Sequence, residues 1–143
     1  QYRSAFPFDA ADVVVVNPPY MPVTAGVGNR YAAVNAARHE VTATKDDVLA
    51  AAVHLLRYGG RLAVVQRADR AVEWMCAMEA LHLRVKRLRW VHTYVDRPAK
   101  MVLMEARWHG NAGTEILPPL VLYRAPQVYT DEVLAMYGKK ELL

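Results

Sequence analysis

Four consecutive valines, Val13–Val16, lead without a break into Asn17-Pro18-Pro19-Tyr20. β-Branched side chains are stiff at χ1 and favour extended backbone. A strand that is apolar at successive positions is buried on both faces, as strands of parallel sheets are. The two prolines then remove two backbone donors and stiffen the segment after the strand. An amide and a phenol ring therefore bracket a rigid loop at the C-terminal end of a buried strand. In open α/β sheets that end is where ligands sit. The Asn17 side-chain oxygen and the Pro18 carbonyl can accept hydrogen bonds from an –NH₂ group, and the Tyr20 ring offers a stacking surface. The pattern suits a flat, amine-bearing substrate.

The rest of the chain alternates strand and helix signals. A long loop over 17–43, holding Gly26 and Gly28, follows the motif; loops of that length are usually functional or mobile. Thr44 starts a helix, with Asp47 in the place of a capping-box acid. Val48, Leu49, Ala52, Val53, Leu55 and Leu56 form its apolar stripe, and Gly59-Gly60 is the expected left-handed stop. Arg61–Gln66 reads as a second buried strand. Asp69 can cap a second helix running to about His82, with Ala71, Trp74, Met75, Met78 and Leu81 on one face. Two strands, Lys86–His92 and Lys100–Trp108, are joined by a short polar turn and should pair antiparallel. A strand over Glu115–Tyr123 and a short helix over Asp131–Tyr137, capped by Thr130, complete the pattern.

With 143 residues, 54% of them hydrophobic, the chain makes one domain with a real core. No apolar stretch approaches the ~18–20 residues of a membrane span, and no signal peptide is recognisable. A single cysteine, Cys76, excludes an internal disulfide framework; it reads as a buried small hydrophobe. No Cys/His cluster has metal-ligand spacing. A cytoplasmic, metal-free protein with no membrane partner is the expectation. The net charge of +4 is compatible with a nucleic-acid partner and by itself does not require one.

Asn17-Pro18-Pro19-Tyr20 resembles the Asp/Asn/Ser-Pro-Pro-Tyr/Phe motif of amino-methyltransferases that use S-adenosylmethionine. That group methylates adenine N6 in DNA or RNA, guanine N2 in ribosomal RNA, or a glutamine amide in release factors. Further stretches narrow the likeness: Ala36–Glu40, Leu55–Val65, Lys86–His92, Lys100–Gly113, Pro118–Leu120 and Tyr129–Val133. Together they are similar to the C-terminal part of the bacterial tRNA1(Val) adenine-37 N6-methyltransferases and their small-domain relatives. The resemblance implies an α/β fold. It would be the C-terminal half of a Rossmann-like class I methyltransferase, a mixed sheet with an antiparallel edge, spanning 1–143 as one portion of a methyltransferase domain. It implies catalytic roles for Asn17, Pro18, Pro19 and Tyr20, with Asn17 and Pro18 also bordering the S-adenosylmethionine cofactor. The family's Gly-rich turn and acidic cofactor residue have no counterpart here, since Gly26-x-Gly28 lies after the motif. Those elements are expected upstream of residue 1, and the first residue, Gln1, fits a chain that opens partway into the pattern.

Two basic clusters remain. Arg38-His39-Glu40 either holds substrate RNA, through Arg38 and His39, or anchors its loop by ion pairs. Lys86, Arg87 and Arg89, with Arg84, Trp90 and His92 nearby, either track an RNA phosphate backbone or form a solvated strand edge. The expected partner is RNA, specifically tRNA. Self-association through an exposed sheet edge is also expected. The alternatives left open are another amino acceptor, or a non-catalytic RNA-binding domain.

Overall fold

The computed structural model describes residues 9–18 and 44–138. Strand β1 spans Ala11–Val16 and pairs in parallel with β2, Leu56–Arg67. Val14 and Val16 turn towards the core. Val13 and Val15 turn the other way and are 46% and 71% exposed, so β1 is not buried on both faces as its four valines predict: both helices that cover it among the described residues lie on one side.

Helix α1, Lys45–Leu55, begins as its sequence requires. Thr44 Oγ1 accepts from the Asp47 amide at 3.2 Å, and the Asp47 carboxylate accepts from the Thr44 amide at 3.1 Å. This reciprocal pair satisfies two of the donors a helix start leaves open. The helix does not continue to Gly59-Gly60. It stops at Leu55, and Leu56 is already extended and fully buried. The core draws the chain in ahead of the glycines, which serve a bulge instead. Ala11 pairs with Leu56, but Val13 pairs with Arg61, so extra residues of β2 must loop out between them. Gly59 takes φ +76°, and a Cβ on Gly60 would sit 2.9 Å from the Arg57 carbonyl and from Leu56 Cδ2.

A 3₁₀ turn, Ala68–Arg70, precedes helix α2, Ala71–Ala80. Asp69 therefore falls too early to cap the helix, and its carboxylate takes Arg67 at 2.6 Å. Ala71, Trp74 and Met78 face inward, with Met75 and Leu81 beside them. Cys76 lies on the outer side of the helix and is exposed, contrary to the expectation of burial.

Strands β3, Leu83–His92, and β4, Ala99–Trp108, pair antiparallel. The expected strand over 115–123 is broken at Pro118-Pro119, which have no donors to give a ladder. It becomes β5, Glu115–Ile116, and β6, Leu120–Val121, both parallel to β3, followed by β7, Tyr123–Ala125. β7 pairs with β8, Val128–Tyr129. Thr130 precedes the last helix, α3, Asp131–Met136, yet its hydroxyl donates to the Val121 carbonyl at 2.7 Å and does not cap.

The main sheet runs β1-β2-β4-β3-β5, with β6 also on β3. β4 is antiparallel to both its neighbours, so β1, β2 and β3 all point one way. The reversed strand thus lies one place in from β3. Helices α1 and α2 seal one face over Leu56, Leu62, Val64, Leu88, Val102, Met104 and Ala106. On the other face Val91, Leu120 and Val133 form a small second cluster with Met101 and Leu103.

Candidate active site and its surroundings

The parallel register of β1 on β2 positions the motif. Val16, the last residue of β1, pairs with Val64, so Asn17 and Pro18 leave the sheet where β2 still has Val65, Gln66 and Arg67 to run. Asn17 is exposed and Pro18 buried. The amide thus stands at the surface at the C-terminal end of a parallel strand, while the proline anchors the chain under it. Pro19, Tyr20, Arg38 and His39 lie outside the described residues.

Gln66 had drawn no attention in the sequence, where it closes an apolar strand. It is fully buried. Its Oε1 accepts from the Arg67 amide at 2.8 Å, and its Nε2 has no hydrogen-bond partner among the described residues. A buried amide donor left unmade costs about 1–3 kcal/mol. The signal available in sequence was its type and place: an amide at the last inward position of a buried strand.

The basic residues of β3 are not part of that cluster. β3 is three strand spacings from β1, ~14 Å. Lys86 Nζ donates to the carbonyls of Asn111, Ala112 and Gly113 at 3.0, 3.4 and 2.8 Å, capping the loop after β4. Arg87 pairs with Glu105 at 2.7 Å. That hydrogen bond, then the Glu105 charge, raises the Arg87 pKa further above its ordinary value. Arg89 donates to the Pro118 carbonyl at 2.9 Å and to Glu132. These three cations tie β3 to its surroundings; Arg87 keeps 51% of its side chain exposed against 19% for Arg89.

No group of three or more His, Cys, Asp or Glu able to hold a metal is found among the described residues. No helix among them is long and apolar enough to cross a membrane.

No protein family profile and no curated relative matches the sequence. Solved structures do match its fold. One is an Agrobacterium tumefaciens protein described as a predicted O-methyltransferase, with TM-score 0.69 and 17% identity over 96% of this chain and 55% of that one. Another, from Thermus thermophilus, is described as a putative DNA modification methylase and was solved with S-adenosyl-L-methionine. It matches with TM-score 0.50 and 15% identity over 78% of this chain and 51% of that one. The chain has the mixed α/β fold of class I methyltransferases, and it spans about half the length of these structures.

Proposed function

We propose that this chain carries the acceptor side of an S-adenosylmethionine-dependent methyltransferase acting on the exocyclic amine of a nucleic-acid base, with adenine N6 in tRNA as the acceptor. The observation that carries this reading is Asn17-Pro18 at the C-terminal end of β1, an exposed amide on a buried proline in a methyltransferase fold.

The adenine amine is a poor nucleophile because its lone pair is delocalised into the ring. If the Asn17 side-chain oxygen and the Pro18 carbonyl each accept one N–H, the nitrogen is held towards sp³ geometry and the lone pair is released. Positioning and preorganised hydrogen bonds then supply the catalysis. Tyr20 would stack on the base once it has left its own stack. When bound, the cofactor supplies a sulfonium methyl: nitrogen takes the carbon, the C–S electron pair returns to sulfur, and the surplus proton passes to water. Asn17 and Pro18 fit the border of such a group, and Gln66 Nε2 is a buried donor available at the same end of the sheet. No described residue forms the Gly-rich turn that would hold its adenosine.

The test is methyl transfer from labelled S-adenosylmethionine to unmodified tRNA by the protein of the complete reading frame. Asn17→Ala should lower kcat about 10²–10³-fold and leave cofactor binding intact. Transfer undiminished in Asn17→Ala would end this reading. A second reading, an RNA-binding domain without methyl transfer, draws on the span of about half the matched structures. It gains if the complete protein binds RNA and no S-adenosylmethionine.

A further inference from the structure

The face of the sheet away from α1 and α2 carries a row that the strand registers set side by side. Arg61 on β2 pairs with Arg107 on β4, and Arg107 pairs with Arg84 on β3. Directly paired residues point to the same face, with Cβ atoms about 4.5–5.5 Å apart. Three cations therefore line up across three strands, an arrangement that costs stability when nothing compensates it. Arg84 has Glu79 at 2.6 Å. Arg61 and Arg107 are both exposed, and no ion pair compensates either among the described residues.

At the same end of the strands, next to the row in sequence, lies a stack of rings. It leans on Trp108, whose ring is 4.7 Å from that of His109 and which packs against the helix-side core. Arg107 is two residues from His109, and Arg61 is three from Tyr58. The Tyr58 and His109 rings lie 5.0 Å apart at 14°, and His109 and His82 lie 5.3 Å apart at 12°. All three residues are exposed, Tyr58 by 71%. His82 and His109 adopt left-handed backbone, φ 61° and 57°, and the His109 amide donates to the His82 carbonyl at 2.8 Å. Such backbone is uncommon for a non-glycine residue and persists where the surroundings impose it. Here it holds two imidazoles parallel at the surface, with little of the burial that usually accompanies aromatic rings. This patch sits at the N-terminal ends of β2 and β3, the opposite end of the strands from Asn17.

We infer that the Arg61–Arg107–Arg84 row and the adjoining Tyr58–His109–His82 stack form a docking surface for a single-stranded segment of RNA, remote from the methyl-transfer site. Uncompensated guanidinium groups take phosphates, and stacked rings take unpaired bases in a sequence-tolerant way. A duplex buries its base faces and could use only the arginines. The choice of RNA rests on the RNA acceptor proposed above. At this end of the sheet the surface would hold the substrate and leave the chemistry to Asn17.

Fluorescence anisotropy of a labelled single-stranded RNA oligomer titrated with this chain tests it. Arg61→Ala with Arg107→Ala should weaken binding at least tenfold and lower the slope of log Kd against log salt by about 1.4, at roughly 0.7 per phosphate contact. Tyr58→Ala should weaken binding about tenfold and leave the slope unchanged. Arg124→Ala removes an exposed charge elsewhere and should change neither. Circular dichroism on each variant confirms the fold. The proposal is overturned if the wild type does not bind the oligomer, if the double variant binds as Arg124→Ala does, or if DNA of the same sequence binds more tightly. It is also overturned if the variants change only the oligomeric state in light scattering, which would mark a contact between copies through the row and its neighbour Val13. Unchanged RNA binding by the double variant, with methyl transfer still lost in Asn17→Ala, would sink this surface and leave the catalytic reading standing.

Discussion

The two faces of β2 are made from one run of alternating residues, and they have opposite fates. Leu62, Val64 and Gln66 are buried to 1% exposure or less under α1 and α2. Arg61, Ala63 and Val65 turn to a face where β1 shows Val13 and Val15 and where arginines lie in a row. The helical face stabilises the fold: it is continuous, apolar and closed. Among the described residues the other face is covered by Leu120 and Val133 at its outer end, and elsewhere it presents charge and exposed valine. A period of two is enough to write a closed and an open face into one strand.

The largest effect should separate the faces outright. Leu62→Ala opens a cavity under two helices and should cost about 2–5 kcal/mol, whereas Val15→Ala, on the open face, should stay within about 0.5 kcal/mol. Urea melts of both variants compare them. Similar losses would mean that the open face is as structural as the closed one. Val15→Lys should also reduce self-association in light scattering, if β1 associates through this side.

Gln66 breaks the pattern of the closed face and sharpens it. Its Nε2 has no partner among the described residues. If that is only a defect, Gln66→Leu removes an unmet donor worth about 1–3 kcal/mol but also the acceptor of the Arg67 amide, and should raise stability by no more than about 1 kcal/mol. If the amide serves the site at Asn17-Pro18, that gain in Tm comes with a loss of methyl transfer in the complete protein. A lower Tm would show that the bonds the amide makes, the one to the Arg67 amide among them, outweigh the unmet donor.

How much of this was legible in the sequence follows the same division. The helices of the closed face were: Leu49, Trp74 and Met78 carry a helical period, and burial obeys it, whereas the run Val13–Val16 predicts burial on both faces and Val13 and Val15 are exposed. The Thr44–Asp47 box was also legible, because both of its bonds are made within four residues. What failed depended on distant partners. Leu56 leaves the helix for the core, which no local stop signal announces. Thr130 prefers the Val121 carbonyl to its own helix. Lys86, Arg87 and Arg89 were legible as cations of one strand, and the fold adds the partners Gly113, Glu105 and Glu132 that the sequence does not show. The Arg61–Arg107–Arg84 row is invisible in sequence, because register alone assembles it. The position of Asn17 directly after a strand was legible too, and β1 ends at Val16 as that reading requires.

The smallest effect lies where the two faces are joined. Arg84 belongs to the row on the open face, yet its partner Glu79 comes from α2, on the closed side, and also accepts from the Val85 amide at 3.2 Å. The Arg84 hydrogen bond is the main cause that holds the Glu79 carboxyl below its ordinary pKa; burial opposes it and the Val85 amide adds to it. A carboxylate with a depressed folded pKa contributes stability that is fully present above its unfolded value, about 4.3, and is lost as pH falls through the folded value. Both side chains are substantially exposed, at 39% and 41%, so solvent screens the pair and its contribution should be no more than about 1 kcal/mol. Glu79→Gln should therefore lower Tm slightly at pH 7, and the gap between variant and wild type should close as the pH drops below about 4. Melting both proteins across that range checks it. A gap that persists unchanged into acid would mean that the charge on Glu79, and with it the pair to Arg84, contributes nothing to stability.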